Sequence, residues 1–243
     1  MMHRFSRAVL LLGAALALPA YGDAPVRVDA SRYQAFWLWS GTRPQPVLSG
    51  ADTLYLQQGE ILARPAGPRF YPLGRQPSRL PVNRLWLVVR VNLLPLTAIH
   101  HTRLAHLCQR WRAAGNPRVG IQIDFDAATR RLADYADNLT RIRQQLPTWC
   151  GLSVTGLLDW ASQGDVTVLN RLPVDELVIQ TYQGRHSVPD VERYLPALLK
   201  LTRPFRIGLV QDGQWDMAWE QALARSPWYR GAVVFLLNPR QGK

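Results

Sequence analysis

Short apolar runs alternate with longer amphipathic stretches along this chain. Eight runs have strand length and are rich in β-branched, leucine or aromatic residues: Gln34–Trp39, Thr53–Ile61, Arg84–Asn92, Val119–Asp126, Gly151–Trp160, Glu176–Tyr182, Arg206–Asp212 and Gly231–Asn238. The later intervals carry helical spacing. Leu104, Leu107, Cys108 and Trp111 fall on one helix face, as do Leu132, Tyr135, Ala136, Leu139, Ile142 and Leu146. Tyr194, Leu195, Leu198 and Leu199 repeat the pattern, and so do Met217, Ala218 and Ala222. Strands alternating with such helices imply parallel pairing and right-handed crossovers. Eight of them predict an α/β chain closed into a (β/α)8 TIM barrel. An open doubly wound sheet would need a glycine-rich phosphate turn after an early strand, and none is present.

The first third departs from this rhythm. Gly41 to Ala51 is short and contains Pro44 and Pro46, while Arg64 to Pro81 includes Pro65, Pro68, Pro72, Pro77 and Pro81. Proline removes a helical donor and clashes with the preceding turn, so the first helices are expected to be irregular or missing.

At 243 residues and 47% hydrophobic content the chain suits one domain with a sizeable core. Its first residues read differently. Arg4 and Arg7 precede an apolar run from Ala8 to Leu18, followed by Pro19, Ala20, Tyr21 and Gly22, with small Ala20 and Gly22 placed for a cut after Gly22. That pattern predicts a signal peptide over residues 1–22 and a single barrel domain over 23–243. The apolar run is shorter than the roughly 17 residues a spanning helix needs, so no stable membrane insertion is expected after cleavage, and the location is periplasmic or secreted. The formal charge of +12 comes almost entirely from arginine. Arginine suits anionic glycan or lipid headgroups, but it also serves simply as a solvating residue, and export argues against a nucleic-acid partner. In an oxidising compartment Cys108 and Cys150 can pair; two buried free thiols are the alternative. Neither cysteine stands in a metal-ligand pattern. The esterase elbow, the phosphate loop and the zinc-protease helix motif are all absent, so no cofactor is predicted.

The candidate chemistry centres on the fourth run. Gln122, Asp124 and Asp126 share one face and Ile121, Ile123 and Phe125 the other, because strand side chains alternate. In a barrel the apolar set packs on the helices and the polar set lines the interior, rising toward the C-terminal mouth where barrel sites lie. Two carboxylates about 6.6 Å apart along a strand repel and lose water, which raises one pKa and suits it to general-acid work. Asp126 is placed to meet a ligand, with Asp124 supporting it from below. Asp126 capping the next helix is the bland alternative. Other strand ends supply Glu60, Arg90, Thr155 with Asp159, Gln180 with Tyr182, and Asp212; Arg90 is expected to neutralise a carboxylate across the barrel. Trp37, Trp39 and Trp160 stand where an indole face could stack on a sugar ring. The substrate-binding set is therefore Glu60, Arg90, Gln122, Thr155, Asp159, Gln180, Tyr182, Trp39 and Asp212. A metal held by Asp124 and Asp126 finds no histidine cluster to support it.

The stretches GIQIDFDAATRRLADY and LPTWCGLSVTGLLDW resemble a bacterial family of unknown function numbered 3142, and LYLQQGEIL and VVRVN resemble its second and third strands. That resemblance implies a glycoside-hydrolase-like barrel. More distantly, Gln122-x-Asp124-x-Asp126 is similar to the chitinase-type Asp-x-Asp-x-Glu strand. There the final Glu is the general acid and the middle Asp assists it. Asp126 stands at the Glu position, one methylene shorter, with Gln122 at the first Asp and Tyr182 near a sixth-strand tyrosine. The reading is an exported glycan-active protein, a glycoside hydrolase on an envelope or extracellular polysaccharide. Its alternative is a non-catalytic glycan-binding or envelope-assembly protein on the same fold.

Overall fold

A computed structural model describes residues 26–125 and 131–239. The signal-peptide reading over residues 1–22 and the position of Asp126 lie outside these described residues.

Eight strands form the barrel: β1 (Ala35–Leu38), β2 (Thr53–Leu62), β3 (Arg84–Val91), β4 (Val119–Asp124), β5 (Gly151–Leu157), β6 (Glu176–Gln180), β7 (Phe205–Val210) and β8 (Tyr229–Phe235). Each pairs in parallel with its sequence neighbour. β8 pairs with β1 at Val234↔Phe36 and so closes the ring. The chain is a (β/α)8 TIM barrel, as the alternation of strands and helices predicts.

The helices are uneven for the reason the prolines give. A 3-10 turn, Pro46–Gly50, replaces the first helix. A short strand, Arg69–Pro72, runs antiparallel to the end of β2 and takes part of the place of the second. Regular crossovers begin with α1 (Ala98–Ala113), then α2 (Leu132–Gln145), α3 (Asp159–Gln163), α4 (Val166–Arg171), α5 (Leu195–Leu198) and α6 (Met217–Leu223). Thr97 and His100 cap the start of α1: the Thr97 backbone N–H donates to His100 Nδ1 at 3.3 Å. Leu104, Ala105, Cys108 and Trp111 then bury its inner stripe against the sheet. Of the two readings left open for the cysteines the structure shows the paired one: Cys108 of α1 forms a disulfide with Cys150, 42 residues away.

Most strand boundaries differ from the sequence expectation by one to three residues; the sixth strand ends at Gln180 and the seventh at Val210, which puts Tyr182 and Asp212 in the turns beyond them. β4 ends at Asp124, not Asp126, among the described residues. β5 ends at Leu157, and Leu158 already has helical dihedrals, so Asp159 and Trp160 open α3 instead of continuing the strand. Trp160 is fully buried beside Tyr135, which removes it as a sugar platform. Among the described residues, no helix is long and apolar enough to cross a membrane.

The core has two parts. The outer shell between strands and helices includes Ile121 and Ile123, fully buried as their parity predicts. The inner cluster fills the barrel with Trp37, Tyr55, Trp86, Val88, Val178, Tyr182, Val210 and Val233. Large rings fit inside because facing positions lack side chains. A Cβ on Gly208 would come within 2.5 Å of Trp37, and one on Gly120 within 2.3 Å of Trp86.

Candidate functional site

The barrel interior is layered. At the N-terminal end the Tyr55 hydroxyl donates to Glu176 Oε1, and Arg206 Nε pairs with Glu176 Oε2 at 3.0 Å. Burial, with the Glu176 charge adding to it, holds the Tyr55 phenol well above its ordinary range, so it stays protonated. Burial works against the Arg206 charge, but its acidic neighbours, Glu176 and Asp52, offset it and its pKa is raised. This layer plugs the base of the barrel, and none of its three members was among the sequence candidates. The available signal was parity, since Glu176, Val178 and Gln180 alternate along β6 on one face.

Above the plug, Trp37 Nε1–H donates to Gln122 Oε1 at 2.7 Å, and Gln122 Nε2–H donates to Ser153 Oγ at 3.1 Å. Gln122 is fully buried, so it positions its neighbours and does not itself meet a ligand. One step higher, the Thr155 hydroxyl donates to Asp124 Oδ1 at 2.7 Å. Glu60, Arg90 and Asp124 occupy consecutive places in the strand register, so Arg90 stands on the strand adjacent to Asp124 and not across the barrel. A bulge at Gln58 sets this register; beyond it, Glu60 stands level with Arg90.

These upper residues open into a pocket of about 360 Å3 lined by Trp37, Trp39, Val88, Arg90, Asp124, Thr155, Gln180, Tyr182, Gly184 and Phe235. Its aromatic wall is continuous. Tyr182 and Phe235 have centroids 5.5 Å apart, and Phe235 lies 6.5 Å from Trp37 and 6.0 Å from half-buried Trp39. Gln180 Nε2–H donates to the Tyr182 carbonyl at 2.9 Å, which fixes the turn that carries Tyr182 beyond the end of β6. The opposite wall is polar: Arg90, Asp124 and Thr155.

Six predicted residues thus converge: Trp39, Arg90, Asp124, Thr155, Gln180 and Tyr182. Gln122 lies beneath them. Asp159 lines a neighbouring cleft that shares Gln180 and Tyr182 with the pocket. Asp212 stands apart, in a turn at φ +62°, lining a third cleft with Arg27, Gln45 and Arg185. Glu60 receives a long hydrogen bond of 3.5 Å from Gln57 and is not part of the pocket lining. Phe235 was missed, although it shares the inward parity of Val233 on β8. Among the described residues, no three histidine, cysteine or acidic side chains gather as a metal site.

Residues 84–195 match the domain of unknown function DUF3142. The DUF3142 stretch runs from β3 to the start of α5 and carries Arg90, Gln122, Asp124, Thr155, Asp159, Gln180 and Tyr182, so most of the candidate residues fall inside it. No curated protein matches the chain. Among solved structures, a xylanase and α-amylase inhibitor protein from Scadoxus multiflorus superposes with a TM-score of 0.53 at 13% identity, covering 83% of this chain and 92% of that one. The chitinase domain of the spore coat protein CotE from Clostridium difficile aligns with a TM-score of 0.47 at 13% identity, covering 82% of this chain and 68% of that one. At 13% identity the likeness to the inhibitor protein is one of fold.

Proposed function

We propose that this is an exported glycan-active protein, a glycoside hydrolase of an envelope or extracellular polysaccharide, with the strand-end pocket as its sugar cleft. The observation that carries the reading is the pairing of the two walls. Trp39, Tyr182 and Phe235 offer ring faces to a pyranose, and Arg90, Asp124, Thr155 and Gln180 offer hydrogen bonds to its hydroxyls. Sugar rings need both, since their faces are apolar and their rims are polar. The volume of about 360 Å3 falls within the range of small-ligand sites.

In this reading Asp126 is the general acid, two residues beyond Asp124 on the inward parity of the sequence. Asp124, held by Thr155, supports its protonation, and Gln122 fixes the floor through Trp37. Export draws on the leader pattern and on the Cys108–Cys150 disulfide, a bond that persists in oxidising compartments. The test is reducing-end release from a panel of bacterial envelope glycans by the mature chain and its Asp126→Asn variant. Release by the first, falling by about 100-fold or more in the second, is the expected result. Undiminished release by Asp126→Asn would remove the assigned acid.

One observation favours a second reading, a binding protein without hydrolysis. Among the described lining residues Asp124 is the only carboxylate, and a fold does not fix a function. Intact glycan retained by the mature chain, with no reducing ends formed, would select that reading.

A further inference from the structure

A second concavity lies outside the barrel, between α1 and the proline-rich strap that follows β2. It encloses about 660 Å3. Its floor is apolar, with half-buried Phe70, Leu73 and Leu107, and Ile99, 68% exposed, also lines it. Arg75, Arg103, Arg110 and His106 stand around it, and among the described residues no aspartate or glutamate lines it. Arg103 lies over the Phe70 ring at 5.3 Å, and Arg110 Nη2 reaches Gln76 Oε1 at 3.3 Å. None of the three arginines is ion-paired with an acid among the described residues.

The surrounding sequence explains the charge. From Ile61 to Ile123 the chain holds ten arginines and no acidic residue. The arginines look scattered along the chain, but α1 and the strap bring three of them around one groove. The strap is a fixed wall. The Leu73 N–H donates to the Gln58 carbonyl at 3.0 Å, and Gly74, at φ +73°, packs where a Cβ would come within 2.4 Å of the Gln57 carbonyl oxygen.

We propose that this groove binds an acidic polysaccharide through its carboxylates. A guanidinium fork matches a carboxylate geometrically, and the apolar floor accepts the ring faces between the charges. A concave groove accepts a chain, whereas a membrane presents a plane. The inference rests on the glycan reading only for the class of ligand; the site is separate from the strand-end pocket and needs no chemistry there.

The test is calorimetric binding of oligogalacturonate to the full mature protein, to Arg103→Gln/Arg110→Gln, and to a charge-matched control, Arg171→Gln/Arg225→Gln. All four positions are exposed. Affinity should fall at least about tenfold in the groove variant and stay within about twofold in the control. Phosphatidylglycerol vesicles serve as the competing anionic surface. Three results would overturn the proposal: equal loss in both variants, no binding of oligogalacturonate, or tighter binding to the vesicles than to the oligosaccharide. Hydrolysis by the Asp126→Asn variant reports on the pocket alone, so failure of one claim is read apart from failure of the other.

Discussion

Trp37 reaches into the barrel interior because residue 208 has no side chain. Its indole then donates to Gln122, which in turn holds Ser153, so one missing carbon on β7 sets the floor of the pocket. Gly208→Ala would push a methyl group against the indole and should cost about 1–3 kcal/mol. A urea midpoint shifted down, with an altered near-ultraviolet tryptophan spectrum, is expected; an unchanged midpoint would mean the ring has room to move. His100 and His101 are a second single-residue matter. Burial lowers both pKa values, so the folded chain resists protonating them while the unfolded chain takes up protons below about pH 6.5. Stability should therefore fall as pH drops from 7.5 to 5.5, before the carboxylates titrate. His101→Gln should flatten that slope in denaturant melts, and a wild-type midpoint independent of pH over this range would contradict the assignment. At this scale the sequence was legible where period-two alternation speaks, as for Gln122 and Asp124. It was silent on Trp37 with Gln122 and on Tyr55 with Glu176, because these contacts join strands far apart in the chain and only barrel closure brings them together.

Between elements, the disulfide ties the buried face of α1 to the entrance of β5. Closing a loop of 42 residues restricts the unfolded chain, a stabilisation of about 4 kcal/mol in the chain-entropy account. A Cys108→Ser/Cys150→Ser variant should lose a comparable amount in guanidinium unfolding, and the wild type should lose it under reductant. Equal stability of oxidised and reduced protein would show that the bond adds nothing. Apolar period and proline density marked all eight barrel strands and the missing early helices. The end of β5 was harder to read. Leu157 and Leu158 continue an apolar run, but the turn into α3 falls between them, and this moves Asp159 from the strand to a helix start beside the pocket. Leu199 likewise sits beyond the short helix α5 and is exposed, since Pro196 near its start and the turn after Leu198 leave it a single turn.

Across the whole molecule, barrel closure turns a row of alternating residues into a cleft. Strand parity foretold Arg90, Asp124, Thr155 and Gln180, and their convergence follows from parallel register alone. Turns act on two others: Tyr182, grouped with Gln180 by strand period, reaches the pocket through a hairpin, and Asp212 leaves through a left-handed turn that strand period does not foretell. Both the hydrolase and the binding readings need this cleft to hold sugar. The decisive experiment titrates the Asp126→Asn protein, with and without Trp39→Ala, with a glycan fragment that the unsubstituted protein cleaves or retains. Loss of the Trp39 ring should weaken binding by about tenfold while the fold is kept. Unchanged affinity in the Trp39→Ala protein would contradict the assignment of the strand-end pocket as the glycan site.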